Sequence, residues 1–162
     1  MTKILNKLSS KVLEKLKLKN LRIGTAESCT GGMIAQYLTM HSGSSETYNY
    51  GFITYSNKSK VDLLNIKQQE IDDYGAVSKE VVTAMALNLM KYNNIDIAIA
   101  VSGVAGPGGG STDKPVGLVH HALATNKYLV HKKIIYKGDR ESVRQQTVET
   151  CLKLALEEIN KF

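Results

Sequence analysis

Leu21-Arg-Ile-Gly-Thr-Ala-Glu27-Ser28-Cys29-Thr30-Gly31-Gly32-Met-Ile-Ala-Gln-Tyr37 is the stretch on which the reading of this chain turns. Its first six residues have the make-up of a short buried strand. Met33, Ile34, Tyr37 and Leu38 then recur at helical spacing. Between strand and helix lie a carboxylate, three consecutive side chains bearing a nucleophilic atom, and two glycines. A strand-to-helix turn aims backbone N–H groups outward, because the first N–H groups of a helix have no internal partner. Glycine lets a bound group come close to the backbone. The same residues also suit a plain helix cap. On this stretch alone, cap and site both stay open.

Downstream, His41 to Glu46 reads as a turn and Tyr48 to Tyr55 as a strand rich in aromatic and β-branched residues. Ser56-Asn57 can cap a helix that carries Lys60 in its first turn, and Gln68 to Tyr74 forms a second short helix. Ser78 is the expected N-cap of a strong helix with Val81, Val82, Met85 and Leu89 facing inward. Asp96 to Ser102 is continuously apolar and is expected to be a strand buried on both faces. A loop from Gly103 to Pro115 is followed by a hairpin, Val116 to Ala124 and Tyr128 to Tyr136. Asp139 caps a long C-terminal helix with Val143, Val148, Leu152, Leu154 and Leu156 inward. Strands alternating with helices, plus one hairpin, predict an α/β protein: a three-layer α/β/α sandwich on a mixed sheet.

The chain of 162 residues is expected to be one domain spanning 1–162, large enough to need no staples. Hydrophobic content of 43% and charged content of 22% are those of a soluble globular protein. No apolar run reaches membrane-spanning length and no signal-peptide core is present, so neither membrane nor export is expected. Two isolated cysteines, Cys29 and Cys151, suggest a reducing, cytoplasmic setting. The four histidines lack metal-ligand spacing, and no metal is expected. The net charge of +6 resides in the first 22 residues, where seven basic groups face Glu14 alone. Lys3, Lys7, Lys11 and Lys15 form one stripe; Ile4, Leu5, Leu8, Val12, Leu13 and Leu16 form the adjoining apolar face. Residues 1–20 therefore read as a basic amphipathic helix docked on the domain, its lysines solvated. Without interleaved aromatics, nucleic acid is not expected as a partner.

Two further stretches bear on chemistry. Ser102-Gly103-Val-Ala105-Gly106-Pro-Gly108-Gly109-Gly110-Ser111 follows the most buried strand, where ligands of open α/β sheets bind. Five glycines in eight residues exceed what a turn needs and suit an anion nest, although a merely tolerant loop fits too. Neither nucleotide-binding glycine fingerprint is satisfied. Lys60 is the third feature. A lysine can act as base to a serine when burial lowers its pKa, but spacing alone reads it as a surface residue.

Glu27-Ser-Cys-Thr-Gly-Gly32, Tyr55-Ser-Asn57-Lys-Ser-Lys60, Gly75-Ala-Val-Ser78, Ser102-Gly-Val-Ala-Gly-Pro107 with Lys114-Pro-Val-Gly117, and Gly138-Asp-Arg140 with Arg144 occur in this order. Together they resemble the C-terminal domain of the CinA (competence/damage-inducible) family, in its stand-alone form, over about residues 5 to 160. That resemblance implies a Ser/Lys amidohydrolase, independent of metal or other cofactor, that deamidates nicotinamide mononucleotide in pyridine-nucleotide salvage and forms homo-oligomers. It implies Ser28 as nucleophile, Lys60 as general base and Tyr55 as the neighbouring catalytic-site tyrosine. Ser111 stands where many members have threonine, and the molybdopterin-binding-like N-terminal domain of two-domain members is not expected in this chain.

The residues themselves extend this to substrate contacts. Glu27, Cys29, Thr30, Gly31, Gly32 and Asn57 are expected to line the site around the nucleophile. Gly103, Ala105, Gly106, Gly108, Gly109 and Ser111 are expected to do so from the glycine loop. Arg140 and Arg144, four apart on one helical face, are candidates for the phosphate. The alternatives are a non-catalytic nucleotide- or phosphate-binding module, and a competence- or DNA-damage-associated factor.

Overall fold

A computed structural model of the chain describes residues 1–92 and 95–162. In chain order the elements are α1 (Thr2–Leu18), β1 (Ile23–Glu27), α2 (Met33–Thr39), β2 (Tyr48–Ile53), α3 (Asn57–Leu64), α4 (Gln68–Tyr74), α5 (Lys79–Leu89), β3 (Ile97–Gly103), β4 (Leu118–Thr125), β5 (Leu129–Ile135) and α6 (Arg140–Ile159). The sheet runs β2-β1-β3-β4-β5. β1 is parallel to β2 and to β3, while β3, β4 and β5 are antiparallel, so the sheet is mixed as expected.

Side-chain alternation along the strands separates two apolar layers. Ile97, Ile99 and Val101 of β3, with Val119 and Leu123 of β4, face a cluster built on α1, α2 and α6. Ala98 and Ala100, with Ala122 and Ala124, face the opposite cluster, where Val81, Val82, Met85 and Leu89 of α5 pack. The result is the α/β/α sandwich. Alanines on that second face allow α5 to lie close to the sheet.

Three helices start where side-chain caps predict. Ser56 accepts from the Ser59 N–H, Ser78 from Val81 and Asp139 from Ser142. The first strand begins later than Leu21, because the Leu21 N–H still bonds to Leu16 O at the end of α1, and it extends through Glu27. α1 docks through Leu5, Val12, Leu13 and Leu16 against the layer that holds Leu152, Ala155 and Ile159 of α6. Ile4, expected on its apolar face, is instead 51% exposed. Ser9 takes a buried place there, its Oγ hydrogen-bonded to His41 Nε2 at 2.8 Å.

β1 lies between β2 and β3, so the chain leaves β1 to one side and returns on the other. Such a switch point opens a crevice beyond the carboxyl ends of parallel strands. Glu27 and Ser28 at the end of β1, Thr54 and Tyr55 after β2, and Ser102 and Gly103 at the end of β3 all meet there.

Docking of α1 through buried leucines has a measurable consequence. Leu16→Ala should lower the urea unfolding free energy by about 2–5 kcal/mol. Leu18→Ala, at an exposed position of the same helix, should change it by less than about 0.5 kcal/mol. Equal effects would mean that α1 is not docked through this face.

Candidate active site

Period-two alternation in β1 sends neighbouring side chains to opposite faces of the sheet. Glu27 points to the side that carries α2. Ser28, one residue on, opens toward α3. The Ser28 N–H bonds to Val101 O at 3.1 Å, anchoring the turn to β3, and the Gly31 N–H bonds back to Ser28 O at 3.1 Å. Gly31 and Gly32 have φ of +59° and +93°, left-handed conformations that side chains rarely adopt.

From α3, Lys60 reaches into the same crevice. It is 1% exposed, and its Nζ donates to Thr54 O at 2.7 Å and to Ser28 Oγ at 3.2 Å. Burial pushes its pKa down from 10.5 to about 8. A buried lysine with no carboxylate partner among the described residues, in contact with a serine hydroxyl, is the arrangement in which an amine can serve as a base. The two flanking nucleophile candidates differ. Burial raises the Cys29 thiol to about 12, so it stays protonated. Thr30 Oγ1 is committed as a donor to Glu27 Oε2 at 2.6 Å.

Ser28 and Lys60 open on a cavity of about 300 Å³. Cys29, Tyr55, Asn57 and Arg140 line it, as do Gly103, Ala105, Gly106, Gly108 and Gly109 of the glycine loop. Arg140 crosses from the start of α6, donating to Gly106 O at 2.8 Å and to the Tyr55 hydroxyl at 2.6 Å. It is thus tied to the cavity wall. The loop is pinned at its base by Val104 N–H to Leu118 O and Gly117 N–H to Val104 O. The N–H groups of Ala105, Gly106, Gly108 and Gly109 donate to no oxygen among the described residues.

Six expected site residues lie off the cavity. Glu27 is 1% exposed, and its carboxylate accepts from Thr30 Oγ1 and from the N–H groups of Gly32, Ile34 and Ala35. The glycines of the turn curl the chain around that carboxylate, so the Thr30 side chain, Gly31 and Gly32 build the helix start rather than the cavity wall. Ser111 closes a turn within the loop, its Oγ accepting from the Lys114 N–H. Arg144, one helical turn beyond Arg140, donates to Thr30 O at 2.7 Å and so braces the Ser28 turn from behind.

Four cavity residues escaped the sequence reading: Ala76, Val77, Ser102 and Val104. The sequence carries a signal for three of them, since Ala76-Val77 leads into the Ser78 cap and Ser102 ends the most buried strand. Ser102 Oγ donates to Ala76 O at 2.7 Å, joining the two walls. The histidines lie elsewhere. His120 and His131 share a 3.0 Å hydrogen bond beside a second cavity, and His121 bonds to the Tyr136 hydroxyl at 3.1 Å. Burial pushes His120 and His121 down to about 4. Among the described residues, no three His, Cys, Asp or Glu side chains are grouped to hold a metal ion. No helix among them is long and apolar enough to cross a membrane.

Comparison with known proteins agrees with this architecture. A nicotinamide-nucleotide amidohydrolase PncC of Enterobacter agglomerans is 43% identical over 160 residues, covering 98% of each chain. A putative competence-damage inducible protein of Alkaliphilus metalliredigens is 45% identical over 141 residues, 87% of this chain but 34% of that longer relative. The chain thus spans about a third of that protein's length. The crystal structure of the competence/damage inducible protein CihA from Agrobacterium tumefaciens superposes with a TM-score of 0.93 at 38% identity, covering 97% of this chain and 96% of that one. A CinA superfamily protein from Klebsiella pneumoniae also gives 0.93, at 30% identity over 98% and 99% of the chains. With residues 5–159 matching the family described as the CinA C-terminal domain, this chain belongs to that family.

Proposed function

We propose that the chain is an amidohydrolase that converts nicotinamide mononucleotide to nicotinate mononucleotide and ammonia. The observation that carries this reading is the buried Lys60 amine, 3.2 Å from Ser28 Oγ, with its pKa lowered to about 8. The full-length likeness to a protein named for this reaction supports the substrate. Cytoplasmic action and assembly into a homo-oligomer belong to the same reading.

Chemistry follows from the geometry. Ser28 Oγ attacks the carboxamide carbon while its proton passes to Lys60 Nζ, and the carbonyl π electrons move onto oxygen. The N–H groups of Cys29 and Thr30, which donate to no oxygen among the described residues, are the donors available to that oxyanion. Collapse of the intermediate breaks the C–N bond as Lys60 returns the proton to nitrogen, releasing ammonia and leaving an ester on Ser28. Water then attacks the ester, again giving its proton to Lys60. The acid is released and Ser28 regains its hydrogen. Cys29, protonated at neutral pH, does not compete. The free N–H groups of the glycine loop, together with the donors left on Arg140, suit the nucleotide phosphate.

Ammonia release from nicotinamide mononucleotide by the purified protein tests the reaction. Ser28→Ala should abolish it while leaving the fold intact. Retained turnover would transfer the nucleophile role to Cys29 or Thr30.

The lysine makes a pH prediction. With the amine titrating near 8, kcat/KM should rise about tenfold per pH unit below that point and level off above it. Lys60→Arg should lose about 10²–10⁴ in rate, because guanidinium stays protonated. An active arginine variant would leave Lys60 an electrostatic role only.

Burying this amine also costs stability. The folded pKa lies below the unfolded one, so the cost is complete below pH 8 and is released as pH rises toward 10.5. Lys60→Met should therefore be more stable than wild type at pH 6.5 by about 2 kcal/mol in urea unfolding. The difference should shrink by pH 10. A gain independent of pH would contradict a desolvated lysine.

Phosphate recognition is read from truncated substrates. Free nicotinamide and the riboside should both lose turnover relative to the mononucleotide, since remote binding energy orients the reacting carbonyl. Arg140→Ala should narrow the gap between riboside and mononucleotide by about 1.5–3 kcal/mol in kcat/KM. An unchanged gap would leave the phosphate to the glycine loop.

A further inference from the structure

Glu27 is a fully buried carboxylate with no lysine or arginine paired to it among the described residues. Its charge is met instead by donors. Oε2 accepts from Thr30 Oγ1 at 2.6 Å, Gly32 N at 3.0 Å and Ile34 N at 3.0 Å; Oε1 accepts from Ala35 N at 2.8 Å and Thr25 Oγ1 at 3.5 Å. A carboxylate on the amino end of a helix is favourable in itself. Here it also removes the ligand-binding capacity that a helix start would otherwise have.

The remaining donors of the turn can be followed one by one. Ser28 N–H goes to Val101 O, Gly31 N–H to Ser28 O and Met33 N–H to Thr30 O. With Gly32, Ile34 and Ala35 held by Glu27, only Cys29 and Thr30 among the described residues of the turn keep N–H groups that donate to no oxygen. These are the two that follow the serine. We propose that Glu27 is a positioning residue of the reaction: its carboxylate wraps the Ser28 turn and fixes Cys29 and Thr30 as the oxyanion donors. This rests on the reading of Ser28 as nucleophile given above. Glu27 acts through the turn and does not touch the substrate, in contrast to the contact expected from the sequence. Its charge also helps to keep the Cys29 thiol protonated, after burial.

Glu27→Gln replaces one acceptor oxygen by an NH2 group that faces donors, so the turn must open. The test pairs two readouts on wild type and variant. The first is deamidation of nicotinamide mononucleotide. The second is labelling of Ser28 by a fluorophosphonate, in which an Oγ–P bond forms, the P–F bond breaks with loss of fluoride, and the serine proton passes to Lys60. The phosphoryl oxygen needs the same two donors, but no nucleotide is involved. The expected result is a folded variant with kcat and labelling rate both reduced at least 100-fold, KM within threefold of wild type, and the activity midpoint near pH 8 kept. A folded Glu27→Gln that labels at the wild-type rate overturns the proposal. So does a raised KM at unchanged kcat, which would make Glu27 a binding residue. If the wild type labels but does not deamidate the mononucleotide, the substrate reading fails and the labelling comparison still decides the role of Glu27. Should Glu27→Gln not fold, Thr30→Val removes the 2.6 Å bond to the same carboxylate, and about a tenfold loss in labelling is expected. No loss in that variant overturns the proposal equally.

Discussion

A single amine, taken out of water and held between the Thr54 carbonyl and the Ser28 hydroxyl, is the constraint around which the site is arranged. Two of its three hydrogens are directed by those oxygens while it is charged. Once it is neutral, the Thr54 carbonyl still holds one N–H, and the lone pair can turn to the serine. Three elements must be in register for this to happen: β1 delivers Ser28, β2 delivers the Thr54 carbonyl and α3 delivers Lys60. The parallel pairing of β1 with β2 lines up their carboxyl ends, and the Ser56 cap starts α3 at once after the strand. Burying the amine costs stability and lowers its pKa to about 8, which is what the proposed role of Lys60 as base requires.

Around that pair, the polypeptide sorts its hydrogen-bond donors by task. Donors at the start of α2 are used up on Glu27, while the N–H groups of Ala105, Gly106, Gly108 and Gly109 donate to no oxygen among the described residues. Arg140 ties the loop to Tyr55, and Arg144 ties α6 to the back of the Ser28 turn. Two arginines four residues apart, alike in the sequence, thus do different things. One lines the cavity; the other holds a carbonyl behind it.

Much of this was legible in the chain because it is local. Ser56, Ser78 and Asp139 cap helices by bonds three residues long, and the alternation of β3 is set by its own residues. Lys60 was legible only through family likeness, because its burial depends on β1, β2 and α3 closing over it. Glu27, expected from the sequence as a substrate contact, is turned away from the cavity by strand alternation and two left-handed glycines, toward N–H groups as far as Ala35. The Arg144 bond spans 114 residues of sequence, so no spacing rule reaches it. Ile4 fits the apolar stripe of α1 yet stays exposed near the chain start, while Ser9 goes inside because His41 satisfies its hydroxyl.

The claim that Ser28 carries the reaction covalently is tested most directly by rapid acid quench of the protein during turnover of nicotinamide mononucleotide, followed by peptide mapping by mass spectrometry. An acyl adduct of the nicotinate mononucleotide moiety is expected on the peptide containing Ser28, located at Ser28 itself. An adduct on Cys29 or Thr30, or turnover with no acylated peptide when deacylation is slowed, would contradict it.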